Sequence, residues 1–425
     1  MRKDQDNLVV GLDIGSSAVR LVVGQMMYDG ESRSSELQIL GAADVPSAGV
    51  HKGVINSIED VVSSISACLE KGERMVGVPI SKVWVGISGL HIVSQVSKGV
   101  IAVSKADNEI SEEDVSRAVE ASRAIATPLN YEVLHVLPKN FSIDGQGKVK
   151  DPVGMTGIRL EVDSQIILGS SSQIKNLTKA VYRAGLNIED LVLAILATSE
   201  AVVTARQKEI GVVIVNIGVS TTSLAVFEEG DILHTAILPI GAEHITNDIA
   251  IGLRTSIDIA EAVKTQYGDC APGQISKREE IDLYEVGAGD HEIVKKQYVS
   301  EIIEARVEEI LSKIDQELVR IKRNGLLPAG AVFTGGGAKL PGLVELAKKH
   351  LRLPAVLGYP LNITSVTDKV NDLNFSTAMG LVRWGSMIQH HGYGGNSYDG
   401  QGGGAFKRVG QAGSRLKKWI KTLIP

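Results

Sequence analysis

Short apolar runs alternate with amphipathic segments along most of the chain, a pattern typical of α/β proteins. Continuous apolar runs at residues 8–12 and 211–216 predict buried strands. Segments with a helical period predict helices at residues 57–71, 111–125, 173–184, 198–207, 241–252, 256–267 and 298–323. In the last of these, an isoleucine stripe is most simply explained by core packing.

Two of the apolar runs lead into tight turns of small residues and then into a second β-rich run. The first unit covers residues 8–27, with its turn at 13–17, and the second covers residues 211–227, with its turn at 217–222. Aligning GLDIGSS with IVNIGVS pairs Asp13 with Asn216, Gly15 with Gly218, and Ser17 with Ser220. This internal repeat predicts two related halves.

The segments between these hairpins predict an inserted α+β subdomain, because short strands at residues 82–103 and 132–169 flank the helix at 111–125. We expect the first half at residues 1–82 with 170–207, the insertion at 83–169, and the second half at 208–388. The second half includes a turn-rich and helical subdomain at about 268–325. A glycine-rich linker at 389–410 and an amphipathic helix at 411–425 complete the predicted organisation.

Composition narrows the possible classes of protein. A chain of 425 residues with 44% hydrophobic content can form more than one domain. Cys68 and Cys270 stand alone, so neither a disulfide framework nor a zinc site is predicted. No apolar run reaches the roughly 18 residues of a membrane span, and the N-terminus has no signal-peptide pattern, so we expect a soluble body.

The charge is unevenly distributed. The net charge is −6, yet the segment after Asp399 carries six basic and no acidic side chains, which leaves −12 on the preceding residues. An acidic body with a basic end argues against nucleic acid binding over the main surface and indicates an anionic partner at the C-terminus.

The last twelve residues have the pattern of an interfacial helix. The apolar residues that share one face are Leu416, Trp419, Ile420, Leu423 and Ile424, and the basic residues beside them are Lys417, Lys418 and Lys421. Such a helix binds anionic lipids reversibly. Docking onto the protein's own core is the alternative, which the long glycine-rich tether disfavours.

Three glycine turns, each at the end of an apolar strand, carry the candidate chemistry. In the first, backbone N–H groups of Gly15, Ser16 and Ser17 can cradle phosphate, and Asp13 can hold a water on Mg²⁺. The second offers Gly218 with the hydroxyls of Thr221 and Thr222, and the third is the triplet at 335–337. Each alone could be a structural turn, but together they predict a nucleotide site.

The motifs LDIGSS, KVWVGISG, TSEAVVT, AEAVKTQYG and FTGGGAKLPGL, with the basic amphipathic end, resemble the actin, Hsp70 and sugar kinase superfamily, and within it the FtsA family. The resemblance runs from about Leu8 to about Trp384. It implies an α/β, actin-like two-domain ATPase fold with an inserted α+β subdomain and a C-terminal amphipathic helix. The implied ligands are ATP and Mg²⁺, the latter held by Asp13 through water. The implied nucleotide-binding residues are Asp13, Gly15, Ser16, Ser17, Asn216, Gly218, Thr221, Thr222, Glu261, Lys264, Gly335, Gly336 and Gly337.

By the same resemblance, the protein would assemble into filaments and bind the C-terminal tail of FtsZ, other division proteins and anionic membrane lipids. The FtsZ surface would lie around residues 268–323, and the protein would be cytoplasmic, peripheral on the cytoplasmic face of the cell membrane at the division site. Three alternatives remain open: a type IV pilus assembly scaffold of the same superfamily, a soluble kinase on this fold, and a degenerate paralogue that binds no nucleotide.

The second hairpin departs from the family pattern, which is close to DIGGGTTD, because here it reads NIGVSTTS. Asn216 cannot supply negative charge to a magnesium-bound water, and Val219 resists positive φ. We therefore expect at most slow ATP hydrolysis. Glu200 matches a position near the attacking water and is the catalytic candidate, with a helix-surface carboxylate as the alternative. For Glu261 and Lys264 the alternative is an exposed helical pair.

Overall fold

The computed structural model describes residues 7–28, 35–124 and 127–392. Its strands are β1 (Leu8–Ile14), β2 (Ala18–Tyr28), β3 (Ser35–Pro46), β4 (Val50–His51), β5 (Val54–Ile55), β6 (Lys82–Ile87), β7 (Ile92–Ala102), β8 (Tyr131–Ile143), β9 (Gln146–Val149), β10 (Arg159–Ser170), β11 (Asn187–Leu193), β12 (Val212–Ile217), β13 (Thr222–Glu228), β14 (Asp231–Leu238), β15 (Glu280–Asp282), β16 (Ile293–Lys295), β17 (Gly330–Thr334), β18 (Ala355–Leu357) and β19 (Thr364–Ser365). Its α-helices are α1 (Ile58–Val76), α2 (Glu112–Arg123), α3 (Ser171–Arg183), α4 (Ala194–Val202), α5 (Ala205–Ile210), α6 (Ala242–Leu253), α7 (Ile257–Tyr267), α8 (Lys296–Arg320), α9 (Leu343–Leu351) and α10 (Ser376–Gly392).

The two predicted halves are built on matching sheets. The first sheet has the order β11-β6-β1-β2-β3-β19, and the second has the order β14-β13-β12-β17-β18. In both, an antiparallel hairpin (β1–β2 or β12–β13) is flanked on one side by a parallel strand (β6 or β17) and on the other by a third antiparallel strand (β3 or β14). The shared strand order confirms the internal repeat.

The inserted subdomain is a four-stranded sheet with the order β7-β10-β8-β9, covered by α2. Ser111 caps α2 and shares a capping box with Asp114, whose side chain is fully buried. The insertion begins later than we predicted. Residues Lys82–Ile87 form β6, a buried strand of the first sheet, and the chain leaves that sheet only at Ser88.

The last elements that the structure describes, β19 and α10, pack against the first half. Strand β19 pairs with β3, and α10 packs on β1, β2 and α4, so the second half does not extend to residue 388 as predicted. Helix α10 also continues through Gly392, which places the first four residues of the predicted linker in a helix. The rest of the linker and the predicted amphipathic helix lie outside the described residues.

Most of the predicted helices are confirmed within a few residues, with one division. The segment predicted at 198–207 forms two helices, because Val203 is extended and Thr204 caps α5 through a capping box with Gln207. The isoleucine stripe of α8 contributes to the core as predicted, since Ile310 and Ile314 are buried. No helix in the described ranges combines the length and apolar content of a membrane span.

Candidate functional site

A cleft of about 460 Å³ lies between the two halves, where their hairpin turns face each other. The turns are built alike: the N–H of Gly15 donates to the Ala18 carbonyl at 3.1 Å, and the N–H of Gly218 donates to the Thr221 carbonyl at 2.9 Å. Neither glycine has a positive φ, and neither does Val219. The resistance of Val219 to positive φ therefore does not matter here, because the turn requires no left-handed residue at this position.

Asp13 lies near the end of β1, at the wall of this cleft, with Arg20 opposite it in the β1–β2 register. Burial raises the pKa of the Asp13 carboxyl, and the positive charge of Arg20 acts in the other direction. A cation bound close to Asp13 would therefore stabilise the ionised form of its carboxyl group.

The side chain of Asn216, the repeat partner of Asp13, forms a hydrogen bond within the protein. Its Nδ2 donates to the Thr377 hydroxyl at 3.2 Å, and that hydroxyl lies 3.0 Å from the hydroxyl of Thr198. These three polar groups come from β12, α10 and α4, so they link the second half to the two helices at the base of the cleft.

Lys264 is a buried cation on the second-half side of the cleft. Its ammonium donates to the Thr246 hydroxyl at 2.7 Å, to the Ala242 carbonyl at 3.3 Å, and to Glu261 at 2.5 Å. Glu261 remains about half exposed and also accepts from Thr246. The alternative of an exposed helical pair is thus wrong for Lys264, which is 8% exposed.

The glycine triplet has a packing role that the sequence did not reveal. At Gly335, which has a φ of +84°, an added Cβ would lie 2.2 Å from Asn216 Oδ1, and at Gly337 it would lie 2.4 Å from Ile217 Cγ2. At Gly336 it would lie 2.8 Å from Asn374 Oδ1, at the cleft wall. The triplet brings the third turn against the second hairpin, and this close approach requires glycine.

The structure brings nearly all predicted nucleotide-binding residues to one cleft. Those that line it are Asp13, Gly15, Ser16, Ser17, Asn216, Gly218, Thr221, Glu261, Lys264, Gly335, Gly336 and Gly337. Thr222 is a correction, because it is fully buried and its hydroxyl donates to the Ile240 carbonyl at 2.8 Å. Glu200 is a second correction: it does not line the cleft, and its carboxylate pairs with Lys208 at 2.6 Å.

Several lining residues escaped the sequence analysis. Arg20 and Lys339 add positive charge. Thr377 lies at the start of α10, and Asn374 lies in the short 3₁₀ turn Leu373–Phe375 just before it. Ser88 lies opposite Ser223, with their hydroxyls 3.4 Å apart. Lys339 stands inside the motif FTGGGAKLPGL and could have been found there. Ser88 lies in the motif KVWVGISG, whereas Arg20, Asn374 and Thr377 belong to none of the motifs quoted above.

These residues fit a nucleotide carried with magnesium. The volume lies in the range of small-molecule sites. Arg20 and Lys264 provide positive charge beside the carboxyl groups of Asp13 and Glu261, and Lys339 pairs with Asp372 at 2.6 Å. No group of three or more potential metal ligands occurs in the part of the chain that the structure describes. The carboxyl groups of Asp13 and Glu261 fit Mg²⁺, which commonly takes one or two carboxylates together with substrate phosphates and waters.

Comparison with known proteins decides the family. A model of "Cell division protein FtsA" matches residues 213–380, and a model of the "SHS2 domain inserted in FTSA" matches residues 89–168. The chain is 37% identical to the cell division protein FtsA of Pseudomonas aeruginosa over 97% of each chain. It is 38% identical to that of Bacillus subtilis, over 90% of this chain and 84% of the relative. The chain belongs to the FtsA family.

Solved structures support the same fold. The chain is similar to the PilM–PilN type IV pilus biogenesis complex, with a TM-score of 0.64, 18% identity, and coverage of 89% of this chain and 98% of the other. It is also similar to MreB5 of Spiroplasma citri bound to ADP, with a TM-score of 0.53, 13% identity, and coverage of 92% and 100%. These likenesses show an actin-like fold, the SHS2 match shows the inserted subdomain, and the FtsA relatives indicate an actin-like cell division protein.

Proposed function

We propose that this FtsA-family protein binds ATP with Mg²⁺ in the cleft between its two halves, assembles into filaments, and tethers FtsZ to the cytoplasmic membrane at the division site. The convergence of the three glycine turns on one cleft carries the nucleotide part of this proposal. The relatives carry the division role, and the basic end of the sequence carries the membrane role.

Within the cleft, neutral, basic and acidic groups would have different roles in binding the nucleotide. The N–H groups and hydroxyls of the two hairpin turns would cradle phosphate oxygens, and Arg20 and Lys264 would balance their charge. Asp13 would hold a water of the magnesium ion. Bound magnesium supplies positive charge that neutralises the phosphates. Because Asn216 donates to Thr377 and carries no charge, this chain would retain ATP with at most slow turnover.

The surface proposed for FtsZ has suitable chemistry. In the subdomain at about residues 268–325, Tyr284, Ile293 and Tyr298 are exposed by about half of their area. Tyr284 also stacks on His291, with ring centroids 4.3 Å apart. Aromatic side chains are enriched at protein interfaces, and exposed apolar area beside them can be buried by a bound peptide.

The first experiment is co-sedimentation with anionic liposomes, with and without Mg-ATP. The full chain is compared with one that ends at Gly404, which lacks the basic amphipathic segment. We expect only the full chain to sediment, more strongly with ATP, because filaments multiply weak anchors. Equal binding by the truncated chain would reject the C-terminal segment as the membrane anchor, and a scaffold of the PilM type would then be favoured.

A second experiment separates nucleotide binding from tethering. Fluorescence titration with a labelled ATP analogue should give saturable, magnesium-dependent binding by the full chain, which Asp13→Asn weakens. A fluorescein-labelled peptide of the FtsZ tail should bind whether or not the last 21 residues are present. Absence of any ATP binding would leave a degenerate paralogue as the better explanation.

A further inference from the structure

A small polar cavity lies directly behind the nucleotide cleft, where the inserted subdomain joins the first half. Its volume is about 20 Å³, and Ile14, Gly53 and Ser88 line both this cavity and the cleft. These three residues therefore form the boundary between the two spaces. The other residues that line the cavity are Val50, Ile55, Gly86, Ile87, His91, Gln173 and Leu177.

The cavity is positioned at the two chain segments that connect the subdomains. The outgoing segment runs from Ser88 to His91 between β6 and β7, and the returning segment enters α3 at Ser171. Ile92 and Gly169 are register partners in β7 and β10, so the two segments run side by side. The inserted subdomain can change its orientation only by moving these segments.

The outgoing segment is in close backbone contact with the β4–β5 turn. At Gly53, which has a φ of +73°, an added Cβ would lie 2.5 Å from Gly89 Cα. At Gly89, which has a φ of +134°, it would lie 2.8 Å from both the Gly53 carbonyl oxygen and His91 Nδ1. The backbone around the cavity is thus packed tightly enough to fix the position of the His91 ring.

Three buried side-chain atoms of the cavity residues have no hydrogen-bond partner among the described residues: His91 Nδ1, His91 Nε2 and Gln173 Oε1. Buried polar atoms are rarely left unsatisfied, because each then costs about 1–3 kcal/mol. A water needs about 10–15 Å³ and two to four polar partners. The cavity is large enough for one water and too small for a hydrated ion or an organic ligand.

The protonation state of His91 agrees with this chemistry. Burial lowers the pKa of the His91 ring, which keeps it neutral near pH 7. A neutral imidazole offers one donor and one acceptor, and the amide oxygen of Gln173 accepts. His91 and Gln173 therefore offer the donor and the acceptors that a bridging water requires.

We propose that this cavity is a structural water site that joins His91 to Gln173 and so holds the two connecting segments of the inserted subdomain together behind the nucleotide cleft. His91 and Gln173 are then positioning residues for the wall formed by Ile14, Gly53 and Ser88. The further consequence, that a ligand in the cleft stabilises this junction, rests on the proposed nucleotide binding.

The sign of the stability change caused by a substitution distinguishes a cavity that holds a bridging water from a dry cavity. Gln173→Met and His91→Leu each remove polar atoms at similar volume. If a water bridges the pair, each single substitution leaves the other partner unsatisfied and destabilises the junction. If the cavity is dry, each substitution removes a desolvation cost and stabilises it.

Hydrogen–deuterium exchange of the full chain, read at peptides covering residues 88–92 and 169–173, measures this directly. We expect each single variant to exchange about tenfold faster there, the size of one net hydrogen bond, and the double variant to fall well short of the product of the two effects. Gln146→Met on β9, exposed in the same subdomain, is the matched control and should leave both peptides unchanged. Slower exchange in the single variants, or independent effects in the double variant, would overturn the water site.

Adding Mg-ATP tests the coupling separately. We expect ATP to slow exchange at residues 88–92 in the parent chain, and to do so less in either single variant. If the parent binds ATP without this protection, the coupling is wrong. If it binds no ATP at all, the proposed function fails, while the comparison of single and double variants still decides the water site.

Discussion

Gly380 is the position at which the two helices at the base of the cleft come closest. A Cβ added there would lie 1.9 Å from the carbonyl oxygen of Ala197, 2.3 Å from its carbonyl carbon, and 2.8 Å from the Thr198 nitrogen. All three are backbone atoms of α4, so no side-chain rotation relieves the collision. Real Cβ contacts essentially never fall under 3.0 Å, so α4 and α10 would have to separate by about 1 Å.

The size of the effect follows from two opposing contributions. Alanine in place of glycine inside a helix contributes about 1 kcal/mol of stability through its higher helix propensity. Forcing an extra methyl into a packed core costs about 1–3 kcal/mol, and the upper end applies here because whole helices must move. Gly380→Ala should therefore destabilise the protein by about 1–2 kcal/mol and lower its unfolding midpoint by a few degrees.

Gly252→Ala on α6 is the matched control. An added Cβ at Gly252 lies 2.6 Å from the Cδ1 of Ile302, the far end of a flexible side chain, which can turn away. This variant should gain the propensity contribution and unfold at or above the temperature of the parent. Thermal unfolding by circular dichroism at one protein concentration compares the three proteins. Equal midpoints for Gly380→Ala and Gly252→Ala would refute the packing argument.

Gly380→Ala should also weaken ligand binding, since Thr198 on α4 and Thr377 on α10 share a hydrogen bond at 3.0 Å, and Thr377 in turn holds Asn216. Separating the helices lengthens this bond and displaces the second hairpin. We expect a lower affinity for Mg-ATP in Gly380→Ala than in Gly252→Ala, measured by the same fluorescence titration.

Three other predictions concern single side chains. Lys264→Met should weaken Mg-ATP binding about tenfold or more in titrations, since a charged hydrogen-bond donor at the cleft is lost; unchanged affinity would remove Lys264 from the site. Lys139→Met should loosen the inserted subdomain from β14, because the ammonium donates to the Leu233 carbonyl at 2.9 Å. Proteolysis of the junction should then be faster than in the parent, and an unchanged rate would contradict this role. Burial lowers the pKa of His135 from its ordinary 6.5 to about 4. As the pH falls, the unfolded chain is therefore protonated at this histidine before the folded chain is. Up to about 3 kcal/mol of folding stability is lost between pH 6.5 and pH 4. His135→Gln can still accept from the Leu193 N–H and should flatten that pH dependence in urea unfolding, whereas an identical slope would contradict it.

Local sequence patterns were sufficient for the hairpins and for most of the cleft. Alternation of apolar runs with small-residue turns is a short-range signal, so β1–β2 and β12–β13 could be predicted together with the residues at their tips. The repeat then placed the two turns in equivalent positions. Equivalent turns of two related halves can face one ligand. The residues predicted from these turns therefore line the same cleft in most cases.

Long-range packing explains what the sequence pattern missed. Nothing local shows that β6 is a central strand of the first sheet, because its pairing with β1 and β11 joins distant segments. The burial of Lys264 depends on its contacts with Ala242 and Thr246 on another helix. Thr222 was assigned by its hydroxyl alone, but strand alternation turns its side chain away from the cleft, toward Ile240.

The inserted subdomain contacts both halves, so it would take part in any relative motion of the two halves. By chain connection it belongs to the first half, yet Lys150 pairs with Asp231 at 3.3 Å, and Lys139 donates to the Leu233 carbonyl. Leu137 of the insertion also shares a buried cluster with Ile232 of the second half. Any relative motion of the two halves must therefore either break these contacts or carry the insertion along with β14. In the second case, the junction at His91 and Gln173 takes up the motion, because it is the place where the insertion is attached to the first half.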